Sequence, residues 1–178
     1  MEGILNLALF LFAFVIVGIG VILSGIRGVV ITLILWMSFI LSLKRGNPVD
    51  VKVGYMSIMV WMLAMGDVFI RRLFSAEKQL DLRGFLVFSY LPPVVLLLLL
   101  NDHESLGVIG LFVLMILNDD SLAKALPQGL FSENTVKTLL ILQVVVIGLS
   151  TRSPYVLSYG VVLWWWYKLT VKVGHKAV

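Results

Sequence analysis

The sequence consists of long apolar runs separated by short stretches that carry most of its charge. The runs cover residues 3–23, 28–43, 53–70, 84–100, 105–118, 133–150 and 154–170. A helix needs about 20 apolar residues to cross the hydrocarbon core of a bilayer, and most of these runs approach that length. We therefore predict an all-α, multi-pass transmembrane helical bundle with roughly five to seven spans, formed as one integral membrane domain over residues 1–178.

Composition leads to the same conclusion. Apolar residues make up 60% of the 178 positions and charged residues 13%, against about 45–50% and about 25% in soluble domains. A water-soluble fold of this size could not bury so much apolar surface. The lipid bilayer is therefore the predicted partner, and we assign the net charge of +4 to topology and headgroup contact rather than to nucleic acid.

Charge bias predicts the orientation of the chain only in part. Lys168, Lys172 and Lys176 follow the last apolar run and predict a cytosolic C-terminus. The basic stretch 44–52 does not fit, because one span would separate it from Arg71. Either the run Val53–Ile70 is re-entrant or interfacial, or the charge bias does not decide the orientation there. The side of the membrane on which the N-terminus lies stays open.

Two other runs are irregular. Ser105–Leu117 is only about 20 Å long as a helix, which is typical of a half-helix. The fourth run contains Pro92-Pro93, which removes two backbone donors and predicts a kinked or broken helix. Side chains of neighbouring helices can bind the carbonyls that are freed.

Asp67 is the candidate intramembrane polar site, because it is the carboxylate that lies well inside an apolar run. Such a group by default suggests a proton or cation role. Arg71 stands four residues later, one helical turn away, so a structural ion pair between the two is the favoured interpretation.

The sequence lacks the motifs that are typical of catalytic, cofactor-binding and metal-binding sites. There is no cysteine, no metal-ligand spacing of histidines, no phosphate-binding glycine-rich loop and no nucleophile elbow. We predict no catalytic residue, cofactor or metal site and do not favour an enzyme, although motifs alone leave an intramembrane serine protease open.

Two further patterns suggest helix packing and membrane anchoring. Gly20, Ser24 and Gly28 are small residues at four-residue spacing, which favours close helix approach or self-association, unless Ser24-Gly25 simply ends the helix. The cluster Trp164, Trp165 and Trp166 before Lys168 is typical of interface anchors.

Two short stretches and one helix pattern carry a resemblance to a known group of proteins. The stretches are residues 62–66 (Met-Leu-Ala-Met-Gly) and 69–72 (Phe-Ile-Arg-Arg), and the pattern is a short apolar helix followed by a connector with Leu-Phe-Ser. The chain resembles the small hydrophobic non-structural membrane proteins of flavivirus polyproteins. Its ends lack the dibasic sequence expected of a viral-protease product, and a separately encoded envelope or virion membrane protein of a plant or insect virus would fit those ends equally well. The resemblance implies host endoplasmic reticulum membrane and a role in replication membranes or virion assembly.

The leading functional hypothesis is a non-enzymatic membrane scaffold or assembly factor that binds protein partners, or a second copy, through its membrane helices. The alternative is a small transporter, permease subunit or channel that uses Asp67 and the Pro92-Pro93 helix. The surroundings of Asp67 discriminate between them. Pairing with Arg71 favours the scaffold, whereas a polar cavity shared with Gln143 or Tyr90 favours transport.

Overall fold

A computed structural model describes residues 2–73, 82–99, 104–119 and 132–174. These residues form seven helices and no strand. The helices are α1 (Glu2–Leu23), α2 (Gly25–Arg45), α3 (Pro48–Leu73), α4 (Leu82–Leu99), α5 (Glu104–Asn118), α6 (Glu133–Thr151) and α7 (Val156–Gly174). The predicted all-α fold is confirmed for this part of the chain, and each predicted apolar run lies mainly within one helix.

Four of the helices, α2, α3, α4 and α6, are long enough and apolar enough to cross a membrane. Shorter apolar helical stretches are Phe14–Leu23 in α1 and Gly107–Ile116 in α5. These four helices suggest a membrane protein. The predicted helical bundle is confirmed for the described residues, whereas the predicted five to seven spans are not.

Successive helices run in opposite directions. Trp61 of α3 binds Thr32 of α2, whereas the next hairpin places Lys52 of α3 against the carbonyl of Leu99 in α4. α1, α3, α5 and α7 consequently finish at one end of the bundle, which we call the C-terminal end. α2, α4 and α6 begin there. The opposite end, which contains Arg45, is called the N-terminal end.

The helix ends follow local chemistry. Gly46 adopts a left-handed conformation (φ 71°) and its amide binds the carbonyls of Ser42 and Leu43, which ends α2. Pro48 then begins α3 at the first helical position, where its missing N–H does no harm. Ser132 caps α6 by accepting a bond from the amide of Thr135.

α3 is the central helix and contacts α1, α2, α4, α6 and α7. Its inner face includes the fully buried Val53, Val60 and Ala64. α5 lies at the edge and packs mainly on α4, with Gly107 and Gly110 at their contact. The bundle is therefore organised around α3.

The structure excludes one form of each of two sequence-based expectations, a re-entrant third run and a broken fourth helix. The run Val53–Ile70 belongs to one uninterrupted helix of 26 residues, about 39 Å long, so it does not fold back on itself. α4 passes through Pro92-Pro93 without a break, and both prolines are buried. Most of each mixed-charge connector (71–83 and 119–128) lies outside the described residues.

Candidate functional site

Asp67 and Arg71 form a buried ion pair on α3. Arg71 Nε lies 2.8 Å from Asp67 Oδ2, and their side chains are 9% and 10% exposed. The indole Nε1 of Trp166 in α7 donates to the same carboxylate oxygen at 2.7 Å. Two donors therefore neutralise and orient the carboxylate.

The guanidinium of Arg71 extends the cluster to a second α7 residue. Its Nη2 donates to Thr170 Oγ1 at 3.2 Å, and this hydroxyl donates to the carbonyl of Trp166 at 3.1 Å. Arg71 Nη1 is buried and has no hydrogen-bond partner among the described residues. The ion-pair cluster, as we call Asp67, Arg71, Trp166 and Thr170, thus ties α3 to α7 near the C-terminal end.

Aromatic rings close off this cluster. Trp166 is 1% exposed and meets the buried ring of Phe85 edge-to-face, with centroids 5.0 Å apart. Excluding water in this way strengthens the hydrogen bonds to the carboxylate. Trp166 therefore does not serve as the interface anchor that its sequence position predicts.

The neighbouring tryptophans differ from Trp166. Trp164 is 36% exposed, and the ammonium groups of Lys137 and Lys168 lie 5.7 and 5.6 Å from its ring centroid. Trp165 is partly buried. Of the three predicted anchors, only Trp164 faces outward with cations beside it.

A second buried cluster joins α4, α6 and α7. Gln143 Nε2 donates to the carbonyl of Ser89 at 2.8 Å and also to the hydroxyl of Tyr159. That hydroxyl lies 3.5 Å from the same Ser89 carbonyl. Ser89, Gln143 and Tyr159 are called the amide cluster below, and all three are buried.

The amide cluster has its origin in Pro93. In an α-helix the carbonyl of residue 89 accepts from the N–H of residue 93, and proline has no N–H. The side chain of Gln143 supplies the missing donor from α6, which keeps α4 continuous. Gln143 Oε1 is left buried without a partner.

Neither cluster opens into a described cleft. Among three clefts that described residues line, the one of about 610 Å³ lies between α1, α2 and α3. The others lie beside α3 and α4 and at the C-terminal end. Asp67 and Gln143 line none of them.

The small-residue pattern is divided between two helices. α1 ends at Leu23, and Gly25 has a positive φ of 70°, so the ridge does not continue past Ser24. Gly20 packs on α3, where an added Cβ would lie 2.5 Å from the carbonyl oxygen of Met65. Gly28 faces Trp165 of α7. Both glycines permit close contacts within the bundle.

Most polar side-chain atoms of the two clusters are hydrogen-bonded to described residues, and the exceptions are Arg71 Nη1 and Gln143 Oε1. No group of three or more His, Cys, Asp or Glu residues in the described ranges could hold a metal ion. Sequence reasoning missed four cluster members, Trp166, Thr170, Ser89 and Tyr159. The position of Pro93 was the one signal that could have identified Ser89.

Comparison of the chain with protein-family models, curated proteins and solved structures finds no match. Its function has to be inferred from its own residues.

Proposed function

We propose that the protein is a non-enzymatic integral membrane scaffold or assembly factor, a helical bundle that offers its outer faces and ends to partners. The observation that supports this most directly is the pairing of Asp67 with Arg71 and Trp166. A carboxylate that serves a pathway must exchange its proton or cation with water. Here both donors to Asp67 Oδ2 are side chains of the protein.

The outer faces support a role in association. The large apolar residues of α5 that point away from α4 are exposed, among them Ile109, Phe112 and Met115. α2 is similarly exposed, with Leu33 and Met37 on its outer face. In a bilayer these faces contact lipid or the membrane helices of a partner.

The orientation that we propose follows from charge. Arginines and lysines at the C-terminal end outnumber those at the N-terminal end by seven to four among the described positions. Those at the C-terminal end are Arg27, Arg71, Arg72, Arg83, Lys137, Lys168 and Lys172. Those at the N-terminal end are Lys44, Arg45, Lys52 and Arg152. The positive-inside rule then favours a cytosolic C-terminal end, and the basic stretch 44–52 is overruled by the larger total.

The lack of cysteine makes this proposal testable with single labels. Arg72→Cys marks the C-terminal end and Lys44→Cys the N-terminal end. In sealed microsomes, whose outer face is the cytosolic one, an impermeant maleimide should label Arg72→Cys only. Labelling of Lys44→Cys alone would reverse the orientation, and equal labelling of both would contradict a fixed insertion.

Association is tested by cross-linking in the membrane. Phe112→Cys on α5 and Met37→Cys on α2 should form cross-links to a second copy or to a partner, whereas the buried position in Phe85→Cys should form none. Failure of both exposed positions to cross-link, in protein shown to be inserted, would contradict the scaffold.

Transport is the second candidate, favoured by Arg71 Nη1 and Gln143 Oε1, which are buried without partners at two places in the bundle. Proton and cation flux into liposomes carrying the wild type or Asp67→Asn separates the two functions. The scaffold predicts no flux from either protein. Flux that disappears in a variant shown to be folded and inserted would establish a pathway through Asp67.

The proposal includes a viral origin because of the resemblance at residues 62–66 and 69–72. It predicts that the expressed protein enters the endoplasmic reticulum membrane and collects there with replication or virion components. Targeting to another membrane would contradict it.

A further inference from the structure

A cleft of about 310 Å³ lies at the C-terminal end, where α1 meets α2 beside the last turns of α7. The residues that line it are Ser24, Ile26, Arg27, Trp165, Lys168 and Leu169. Two of the six are cations and one is a tryptophan. None of the described residues that line it is a carboxylate.

The two cations of this cleft come from different helices. Arg27 lies in the first turn of α2 and Lys168 near the end of α7, and both are exposed. Neither forms an ion pair with a described carboxylate, in contrast to Arg71 and Arg45. The cleft therefore holds two positive charges that no described acidic residue neutralises.

The fold brings the two helices together at this point. Gly28 is buried, and a Cβ there would lie 3.2 Å from the ring of Trp165, so a glycine permits the approach of α7. The hydroxyl of Ser24 donates to the carbonyl of Val21 at 2.6 Å and makes no capping bond to α2. The uncapped first turn of α2 adds to the positive potential beside Arg27.

We propose that this cleft binds a phosphate group, in particular that of an anionic phospholipid headgroup. The inference rests on the proposed membrane insertion, which puts the cleft at the level of the headgroups, beside the outward-facing Trp164. Basic pockets between membrane helices bind anionic headgroups, and a neighbouring tryptophan suits the interface. A free phosphate ion shares this chemistry and is the other source to be distinguished.

The test measures dissociation constants for phosphatidic acid and phosphatidylcholine by native mass spectrometry of the full chain in detergent micelles. The variant Arg27→Gln/Lys168→Gln removes both cations from the cleft. The matched control Arg72→Gln/Lys137→Gln removes two cations from the same end but outside the cleft. We expect binding of phosphatidic acid to be about thirtyfold weaker in the first variant and within about twofold of wild type in the control.

Two more arms make the result decisive. Arg27→Lys/Lys168→Arg keeps both charges and should retain binding, which separates loss of the site from loss of the fold. Inorganic phosphate should not displace phosphatidic acid at equal concentration, and if it does the assignment to a lipid is wrong. An equal loss in the control variant, or none in the cleft variant, would overturn the site.

Alkaline extraction of vesicles that contain the protein keeps this inference separate from the proposed function. Protein that resists extraction but shows no preference for phosphatidic acid contradicts only the lipid site. Protein that is extracted contradicts membrane insertion and hence the proposed function.

Discussion

The ion-pair cluster and the amide cluster answer the same problem, a polar group inside an apolar bundle, in different ways. Asp67 and Arg71 bring opposite charges to one helix face and then recruit Trp166 and Thr170, both 99 residues further along the chain. The amide cluster begins with a backbone carbonyl that Pro93 leaves without its donor. One cluster neutralises side-chain charge, and the other repairs a defect in helix hydrogen bonding.

The comparison predicts different penalties for damage. Removing one partner of a buried ion pair strands the other charge, which is among the most destabilising of single changes. Removing a neutral donor strands only dipoles, and hydrogen bonds inside membrane proteins contribute less on average. The two clusters should therefore differ by a few kcal/mol in their response to single substitutions.

The largest effect is expected from Asp67→Leu. The cation of Arg71 would stay buried without its carboxylate, and the free energy of unfolding should fall by about 3–5 kcal/mol. Equilibrium unfolding in mixed micelles, followed by tryptophan fluorescence, measures this change.

The double variant Asp67→Leu/Arg71→Leu is the matched control. With both charges gone, most of the lost stability should return, because no charge is left buried without its partner. A double variant that is as unstable as Asp67→Leu alone would show that the pair is not the source of the penalty.

The amide cluster should respond more weakly. Gln143→Leu removes the donor to the Tyr159 hydroxyl and leaves the Ser89 carbonyl with only the longer bond from that hydroxyl, and we expect a loss of about 1–2 kcal/mol. Pro93→Ala restores an N–H to the carbonyl of Ser89. The combination Gln143→Leu/Pro93→Ala should therefore lose less stability than the sum of the two single changes, as measured by the same unfolding experiment.

A strictly additive result would contradict the link between Pro93 and Gln143. Residues that share a hydrogen-bonding group are expected to couple, whereas independent sites add.

The sequence allowed one cluster to be predicted in part and the other hardly at all. The Asp67–Arg71 pair follows from four-residue spacing on a helix, which is local information. Trp166 joins them through tertiary packing, and its place beside two other tryptophans and a lysine suggested the membrane interface instead. For the amide cluster, Pro93 identifies the orphaned carbonyl, but nothing local indicates that Gln143 of α6 supplies the donor.

The fold, like the clusters, could be predicted where local sequence decides it and not where tertiary packing does. Apolar run length predicts the helices, since each run must satisfy its own backbone bonds in lipid. The sequence did not predict that α3 begins at Pro48, because Asp50 and Lys52 are typical of a polar turn. Asp50 is buried, which only the packing of the α2–α3 turn explains.

A smaller effect is expected from Tyr159→Phe. The hydroxyl accepts from Gln143 and lies near the carbonyl of Ser89, so its removal should lower stability by about 1 kcal/mol. Tyr90→Phe is the matched control, because the Tyr90 hydroxyl donates to the carbonyl of Leu139 in α6, outside the amide cluster. Combined with Gln143→Leu, only Tyr159→Phe should be non-additive. Equal coupling of both tyrosines to Gln143 would mean that the cluster extends to Tyr90.

The smallest effect is expected from replacing Arg45, the exposed member of a second ion pair. Arg45 lies 3.6 Å from Asp50, with side chains 59% and 4% exposed, so water solvates the cation in both the folded and the unfolded chain. Arg45→Gln should lower stability by only about 0.5 kcal/mol, and less at high salt. Asp50 keeps the favourable field of the first turn of α3 when its partner is lost. Lys44→Gln, one residue away and without a described ion pair, controls for the change in charge at the end of α2. If Arg45→Gln lowered stability as much as Asp67→Leu, the buried carboxylate of Asp50 would depend on Arg45. Burial of one partner alone would then be enough to make an ion pair structurally essential.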